Sequence, residues 1–101
     1  MQHLIPSLPV FGEDLTAAEK KALGLSAEQL AFRQRDKVHS QAQAAGIRAR
    51  DIILGVDDRK LEKMDAGDLY QYVRQGYLSG DRITINVLRD GKRLRLPLTL
   101  R

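Results

Sequence analysis

Cysteine is absent from this chain, which excludes a disulfide framework, a thiol nucleophile and a zinc ribbon. The two histidines, His3 and His39, lie far apart and have no third ligand at a metal-like spacing, so we expect no metal and no other cofactor. Aromatic residues make up only 5% of the chain and are not interleaved with basic residues as in an RNA-binding sheet. The composition therefore gives no reason to expect a metal site or bound RNA.

Long apolar runs are also missing. No stretch approaches the roughly 18 residues that a membrane span needs. The N-terminus, MQHLIPSLPV, lacks the basic start and the continuous apolar core of a signal peptide. We predict no membrane span in this sequence, and the compartment stays open because a targeting segment could lie elsewhere in a longer protein.

Catalytic motifs are absent as well. None of the serines stands in a Gly-x-Ser-x-Gly elbow, and no glycine-rich loop has the downstream Lys-Ser/Thr of a phosphate-binding site. Asp57 and Asp58 are adjacent in a predicted turn, where neighbouring carboxylates point apart into solvent. We therefore predict that the chain is not itself an enzyme.

The 101 residues that are present suit one domain with a modest core. Net charge is +4, from 17 Lys and Arg against 13 Asp and Glu, and most of the basic residues are scattered. Their one dense group surrounds the last predicted hairpin and consists of Arg89, Lys92, Arg93, Arg95 and Arg101. On the return strand, Arg93 and Arg95 would share the solvent face. A solvated face explains this charge better than a nucleic-acid surface, so we expect no nucleic-acid partner.

The clearest secondary-structure signals lie in the C-terminal half. The short apolar run 52–56 has the length and flanking turn residues of a buried strand. Ile83, Ile85 and Val87 alternate with polar residues, as in a strand with one buried face. Asp90-Gly91 favours a tight hairpin turn, and alternating leucines predict the return strand up to residue 100.

Helices are predicted from capping signals. Thr16 and Glu19 have capping-box spacing, and Gly24 is a natural helix stop; the apolar side of this helix would consist of Leu15, Ala18, Ala22 and Leu25. A shorter helix would start at Ser40 as its cap and end at Gly46. The principal helix is predicted over 65–75, with Asp65 as N-cap and Asp68 near the positive end of the dipole.

Other segments give weaker signals. Residues 1–12 should be extended because Pro6 and Pro9 disfavour helix. Leu30 to Val38 fits only a poor strand, and its polar run suits an edge strand or a protruding hairpin. Residues 57–62 read as a turn and a short extended piece that holds Leu61.

Several of these pieces occur in an order that resembles a PDZ domain, in particular the bacterial kind attached to HtrA-type proteases. The matching pieces are Ala45-Gly46-Ile47, Asp51-Ile52-Ile53-Leu54 with Val56-Asp57, Asp68-Leu69, Gly80-Asp81, and Val87 to Lys92. The resemblance implies an α+β, mainly β fold: a small, partly open antiparallel β-barrel of about five strands with two or more helices. We expect one PDZ-like domain over 1–101, with 1–12 as an extended arm and 40–101 as the best-matching core.

The resemblance also implies a function. A PDZ domain binds an extended peptide, usually a protein C-terminus, by adding it as a strand to an open sheet edge beside a helix. The lining helix would be 65–75, which turns Ala66, Tyr70 and Val73 toward the groove. The loop that holds the terminal carboxylate would be Val10-Phe11-Gly12, or else Leu23-Gly24-Leu25; the first position agrees better with the bacterial relatives. Directly before Asp51, where the family has a glycine, this chain has Arg50.

Two alternatives stay open. The groove could be closed or filled by the chain's own N-terminal arm, which would make the domain a structural or self-associating module; the apolar residues suited to this are Leu4, Ile5, Leu8 and Val10. The domain could also be an accessory part of a serine protease or another enzyme, in which case an HtrA-like parent would place it outside the cytoplasm.

Overall fold

A computed structural model describes residues 7–57 and 64–100. Five strands form one antiparallel sheet in the order β1-β2-β3-β4-β5. The strands are β1 (Gly12–Asp14), β2 (Phe32–Gln34), β3 (Ile52–Val56), β4 (Arg82–Arg89) and β5 (Lys92–Thr99), and the helices are α1 (Ala17–Ala22), α2 (Ser40–Ala45) and α3 (Ala66–Gly76). These elements confirm the predicted fold class.

The strongest sequence patterns correspond to the longest strand pair of the sheet. β4 and β5 pair along their whole length, from Arg82 opposite Thr99 to Arg89 opposite Lys92. Asp90 and Gly91 both have positive φ (51° and 76°), as the predicted hairpin turn requires. In β3 the register shifts between Ile53 and Gly55. The extra residue of such a bulge places Ile53 and Val56, which are three positions apart, in the same core cluster.

Both faces of the sheet are covered. The larger cluster packs α3 and α2 against one face and includes Phe32, Ile53, Leu69 and Ile85. A smaller cluster lies on residues of the opposite face and consists of Leu15, Leu25, Ala31, Ile52, Leu54 and Leu88. Leu15 and Leu25 flank α1, so the segment that contains this helix supplies the cover for the second face.

Helix α1 begins as predicted but packs differently. The Thr16 hydroxyl accepts from the Glu19 N–H and the Glu19 carboxylate accepts from the Thr16 N–H, which completes the capping box. The predicted apolar side is wrong in part: Leu15 and Leu25 are buried, but Ala18 and Ala22 are exposed. A helix of six residues is too short to turn a full apolar stripe inward, so its flanking leucines make the contact with the core.

Helix α2 also differs from its prediction at one end. Gly46 ends it in the left-handed region, with φ 101°, as expected. The cap is not Ser40: the N-cap residue is His39, whose Nδ1 accepts from the Gln41 N–H at 3.1 Å. An imidazole nitrogen can serve the helix end in the same way as a hydroxyl oxygen, so the start moves back by one residue.

The predictions for 30–38 require correction too. Only Phe32–Gln34 is a strand, and it is an inner strand, paired with β1 on one side and β3 on the other. The edge-strand prediction was wrong because β1 is only three residues long and has no periodicity that the sequence could reveal. Of the predicted segment 57–62, the residues from Asp58 onward, including Leu61, lie outside the described residues.

Candidate functional site

The sheet ends at β1, which has a strand neighbour on one side only among the described residues. Leu15 donates its N–H to Ala31 O (3.0 Å) and Phe11 O accepts from the Arg35 N–H (2.9 Å), so these odd-numbered residues face β2. Backbone groups alternate in direction along a strand. The N–H and C=O groups of Gly12 and Asp14 therefore point away from β2, toward the open edge.

Only glycine fits at position 12, the start of this edge. A Cβ atom at this position would lie 1.9 Å from the carbonyl oxygen of Arg33 on β2. Real Cβ atoms never come so close to a backbone oxygen, so any side chain would push β1 away from β2. The absence of a side chain is what lets the two backbones approach at this point.

Helix α3 runs beside the open edge and is fixed to β1 near its start. Asp65 is the N-cap, as the sequence predicted, and it forms a capping box with Asp68, which the sequence analysis placed only near the helix dipole. In addition, the Asp14 carboxylate accepts from the backbone N–H of Ala66 at 2.9 Å. This hydrogen bond links the end of β1 to the first turn of α3 and sets the distance between strand and helix there.

One turn later, Tyr70 fills the space between helix and strand. Its ring centroid lies 5.6 Å from that of Phe11, tilted by 46°, and 6.4 Å from that of Phe32, in an edge-to-face arrangement. Tyr70 is half-buried and Phe11 remains 42% exposed. These two rings form an apolar surface that starts at the open edge and extends onto the helix.

The groups that affect the pKa of Tyr70 lie at the same open edge. Burial raises the pKa of Tyr70 above its usual value, while the positive charge of Arg35 and the backbone N–H of Gly12 lower it, and the charge of Asp14 adds to the rise. The hydroxyl is therefore protonated at neutral pH. It lies near a backbone N–H and a cation, both of which favour negative charge.

The residues predicted for this site fall into two groups. Phe11, Gly12 and Tyr70 come together at the open edge. Val10, Ala66 and Val73 are 0%, 5% and 0% exposed and belong to the larger core cluster. Their side chains are part of the core and are not exposed at the open edge.

The alternative predictions can also be located. Gly24 follows the C-cap of α1 with φ 75°, and the Leu25 N–H donates to Lys20 O, so Leu23-Gly24-Leu25 is a helix stop. Of the arm residues proposed to fill the groove, Leu8 is buried in the core together with Val10, while residues 1–6 lie outside the described residues.

Sequence reasoning missed two buried polar residues, Gln34 and Asp51, which are 1% and 3% exposed. Asp51 accepts two hydrogen bonds from Arg89, at 2.8 and 2.6 Å, and one from the Arg48 N–H. The same guanidinium donates to Gly46 O. Arg89 was read as part of a solvated basic group; the signal that could have identified it is the single acid Asp51 directly before the buried strand β3.

Comparisons with known proteins agree with the fold of this chain. A family model described as "PDZ domain" matches residues 21–100. The Serine protease Do-like HtrB of Bacillus subtilis (strain 168) is 32% identical over 85 residues, which is 81% of this chain. A Ser-to-Ala form of the HtrA-type protease AlgW with decapeptide superposes on 98% of this chain with a TM-score of 0.78 and 26% identity. AlgW with tripeptide does so with a TM-score of 0.67 and 27% identity.

The chain corresponds to only part of each of these proteins. It spans 18% of HtrB, 29% of the AlgW form with decapeptide and 32% of AlgW with tripeptide. The family match begins after β1, whereas the superposition on the AlgW structures includes nearly the whole chain. No helix in the two described segments is both long and apolar enough to cross a lipid bilayer.

Proposed function

This chain belongs to the PDZ domain family, and from that membership and the geometry of its open edge we propose that it binds the C-terminus of a protein or peptide in an extended conformation. The guest chain would add to β1 as a further strand of the sheet. Its backbone would exchange hydrogen bonds with Gly12 and Asp14.

The observation that carries this proposal is the direction of the β1 backbone. Because Phe11 and Leu15 bond to β2, the N–H and C=O groups of Gly12 and Asp14 face outward beside α3. Unpaired backbone groups at an edge are a template for another strand. A strand of three residues offers few such groups, so side-chain contacts must supply a large share of the affinity.

We place the last residue of the guest against the rings of Phe11 and Tyr70. Its terminal carboxylate would lie near the Gly12 N–H and the Tyr70 hydroxyl, close to the charge of Arg35, which are the groups that interact around Tyr70. Hydrogen bonds to an ionised group are stronger than neutral ones. Val10, Ala66 and Val73 support this pocket from below through the core.

The domain would act as a regulatory or substrate-presenting part of a larger protein and would not be catalytic itself. The support for this role is that the chain covers less than a third of HtrA-type relatives, two of which are described with a bound decapeptide or tripeptide. An HtrA-like parent would carry out its proteolysis in another domain. We propose no nucleic-acid partner.

A screen of random C-terminal decapeptides against this domain tests the proposal, followed by amide-shift mapping with the tightest binder. We expect shifts to cluster on Phe11, Gly12 and Tyr70. Tyr70→Ala should weaken binding about fivefold, since one aromatic contact contributes roughly 1 kcal/mol. Tyr72→Ala is the matched control, because Tyr72 packs on Tyr77 instead, with ring centroids 6.3 Å apart. Absence of binding at high peptide concentration would remove the proposed function.

A variant without residues 1–6 tests the alternative in which the arm fills the groove. This deletion is preferable to a longer one, because Leu8 and Val10 are part of the core. An open groove predicts the same peptide affinity with and without residues 1–6. A clear gain in affinity after the deletion would instead indicate that the arm competes with the peptide.

A further inference from the structure

Gln34 occupies an unusual position between β1 and β2. Its backbone belongs to β2, opposite Gly12, and its side chain is 1% exposed. The side-chain Oε1 accepts from the Phe11 N–H at 3.2 Å, and Nε2 donates to Arg35 O at 3.2 Å. A buried amide whose two polar ends are both bonded to backbone groups holds those groups in one arrangement.

These two bonds replace one bond of the sheet. Phe11 and Arg35 face each other in register, and the Arg35 N–H already donates to Phe11 O at 2.9 Å. In a regular antiparallel pair of this type the Phe11 N–H would return a bond to Arg35 O. Here the Gln34 amide is inserted between that donor and that acceptor. The two strands are thereby held together through one direct bond and one amide bridge.

The inserted amide governs the direction of the loop before β1. A direct bond between the Phe11 N–H and Arg35 O would draw Phe11 closer to β2 and shift the next peptide unit with it. The carbonyl of that unit bonds to the Arg35 N–H, so its N–H, that of Gly12, points away from β2 in either case. The bridge keeps this loop apart from β2, with Phe11 on the Tyr70 ring and the Gly12 N–H near the Tyr70 hydroxyl. The bridge also holds the backbone of Arg35, and it therefore fixes the point from which the cationic Arg35 side chain extends.

We infer that Gln34 is a positioning residue for the carboxylate end of the groove: its amide bridge sets how far Phe11 and the outward-facing Gly12 N–H lie from β2, and thereby how well that N–H reaches the terminal carboxylate of a bound peptide. This inference rests on the proposed function and deepens it. Gln34 does not touch the peptide. It determines how well the domain distinguishes a free C-terminus from the same sequence with a blocked one.

Backbone hydrogen bonds also attach Gln34 to the segment before β3. The Gln34 backbone N–H donates to Asp51 O at 2.8 Å, and Gln34 O accepts from the Arg50 N–H at 2.9 Å. Asp51 is in turn held by Arg89. The amide bridge is therefore attached to the centre of the sheet, and it can hold a loop at the edge without moving with it.

The test compares two forms of the tightest decapeptide from the library, one with a free C-terminal carboxylate and one with a C-terminal amide. In the wild-type domain we expect the free form to bind at least about tenfold more tightly, since one hydrogen bond to a charged group contributes roughly 1.5–3 kcal/mol. Gln34→Leu keeps the volume but removes the bridge. We expect it to lower this ratio about fivefold or more.

Asn86→Leu is the matched control. Asn86 also donates a side-chain amide hydrogen bond to a backbone oxygen, that of Asp57 at 2.6 Å, but on β4 and away from the loop. Both variants should lose some stability, so a lower melting temperature alone does not distinguish them. Only Gln34→Leu should change the affinity ratio, because the Asn86 bond involves neither Phe11 nor Arg35.

The possible outcomes distinguish a failure of the proposed peptide binding from a failure of the role inferred for Gln34. A wild-type domain that binds neither form of the peptide would overturn the proposed function, and the inference with it. A wild-type domain that prefers the free carboxylate, together with a Gln34→Leu variant that keeps the full preference, would overturn the inference alone. Loss of the preference in Gln34→Leu but not in Asn86→Leu would establish the positioning role.

Discussion

The ring of Phe11 lies on the ring of Tyr70, with centroids 5.6 Å apart, and this contact brings the loop before β1 onto helix α3. Both residues are near the open edge of the sheet, yet they lie far apart in the sequence. One precedes the first strand, and the other lies in the principal helix. Their contact defines the end of the groove at which we place the peptide carboxylate.

Replacing Gly12 by alanine should disrupt this end of the groove. The added Cβ would lie 1.9 Å from Arg33 O, and we expect β1 to shift at a cost of about 1–3 kcal/mol, the usual range for overpacking. Gly76→Ala is the matched control, because no atom lies within 4 Å of a Cβ there. Thermal unfolding measures both; equal stability of Gly12→Ala and the wild type would contradict the close approach of β1 and β2.

Arg89→Met should be strongly destabilising. It leaves the carboxylate of Asp51, which is 3% exposed, without its charged partner, and breaking a buried ion pair typically costs about 3–5 kcal/mol. The control is Asp36→Asn at the exposed pair with Arg50, where about 0–1 kcal/mol is expected. Denaturant unfolding compares the two. If both variants cost the same, the Asp51–Arg89 pair does not hold β4 to the turn after α2.

Arg50→Gly should stabilise the domain by about 0.5–1 kcal/mol. Arg50 has φ 68°, a left-handed conformation that costs a residue with a Cβ roughly 1–2 kcal/mol. Glycine avoids this strain, but it loses more backbone entropy on folding, so only part of the strain energy is gained as stability. Arg50→Ala is the control: it removes the ion pair with Asp36 but keeps the strained conformation, so it should give no stabilisation. A gain of equal size in both variants would show that strain is not the cause.

The stability of the wild type relative to Glu19→Gln should depend on pH. The Thr16 backbone N–H and Arg33 lower the pKa of Glu19 below 4.5 in the folded state. A carboxylate with a depressed folded pKa contributes stability above its unfolded pKa, and this contribution is lost as pH falls through the folded pKa. We therefore expect Glu19→Gln to melt below the wild type at pH 7 and at the same temperature at pH 2. An equal difference at both pH values would contradict the role of the charge.

Local patterns in the sequence were sufficient for the larger elements. Alternation along β4 and β5 predicted those strands, and Asp65 with Asp68 predicted the start of α3. The cap of α2 was misassigned because two residues next to each other, His39 and Ser40, can both cap a helix. These elements could be predicted because each depends on a pattern within a few residues. The exact start of a helix could not be predicted where two neighbouring residues can both act as its cap.

The candidate site was predictable only in part, because it depends on pairings between distant segments. The sequence indicated Phe11, Gly12 and Tyr70 through resemblance to the family. The amide bridge of Gln34 to Phe11 joins residues 23 positions apart, and nothing in a polar run of sequence marks one glutamine as buried. The role of β2 as an inner strand was missed for the same reason: it depends on a three-residue partner that has no pattern of its own.

Hydrogen exchange at the β1 amides, with and without the tightest library decapeptide, tests strand addition most directly. The outward-facing amides of Gly12 and Asp14 should gain protection when the peptide binds, while the Leu15 amide, which already bonds to Ala31 O, should not change. This alternation is specific to a guest strand on the open edge. Peptide binding that leaves the Gly12 and Asp14 amides as exposed as before would contradict the account.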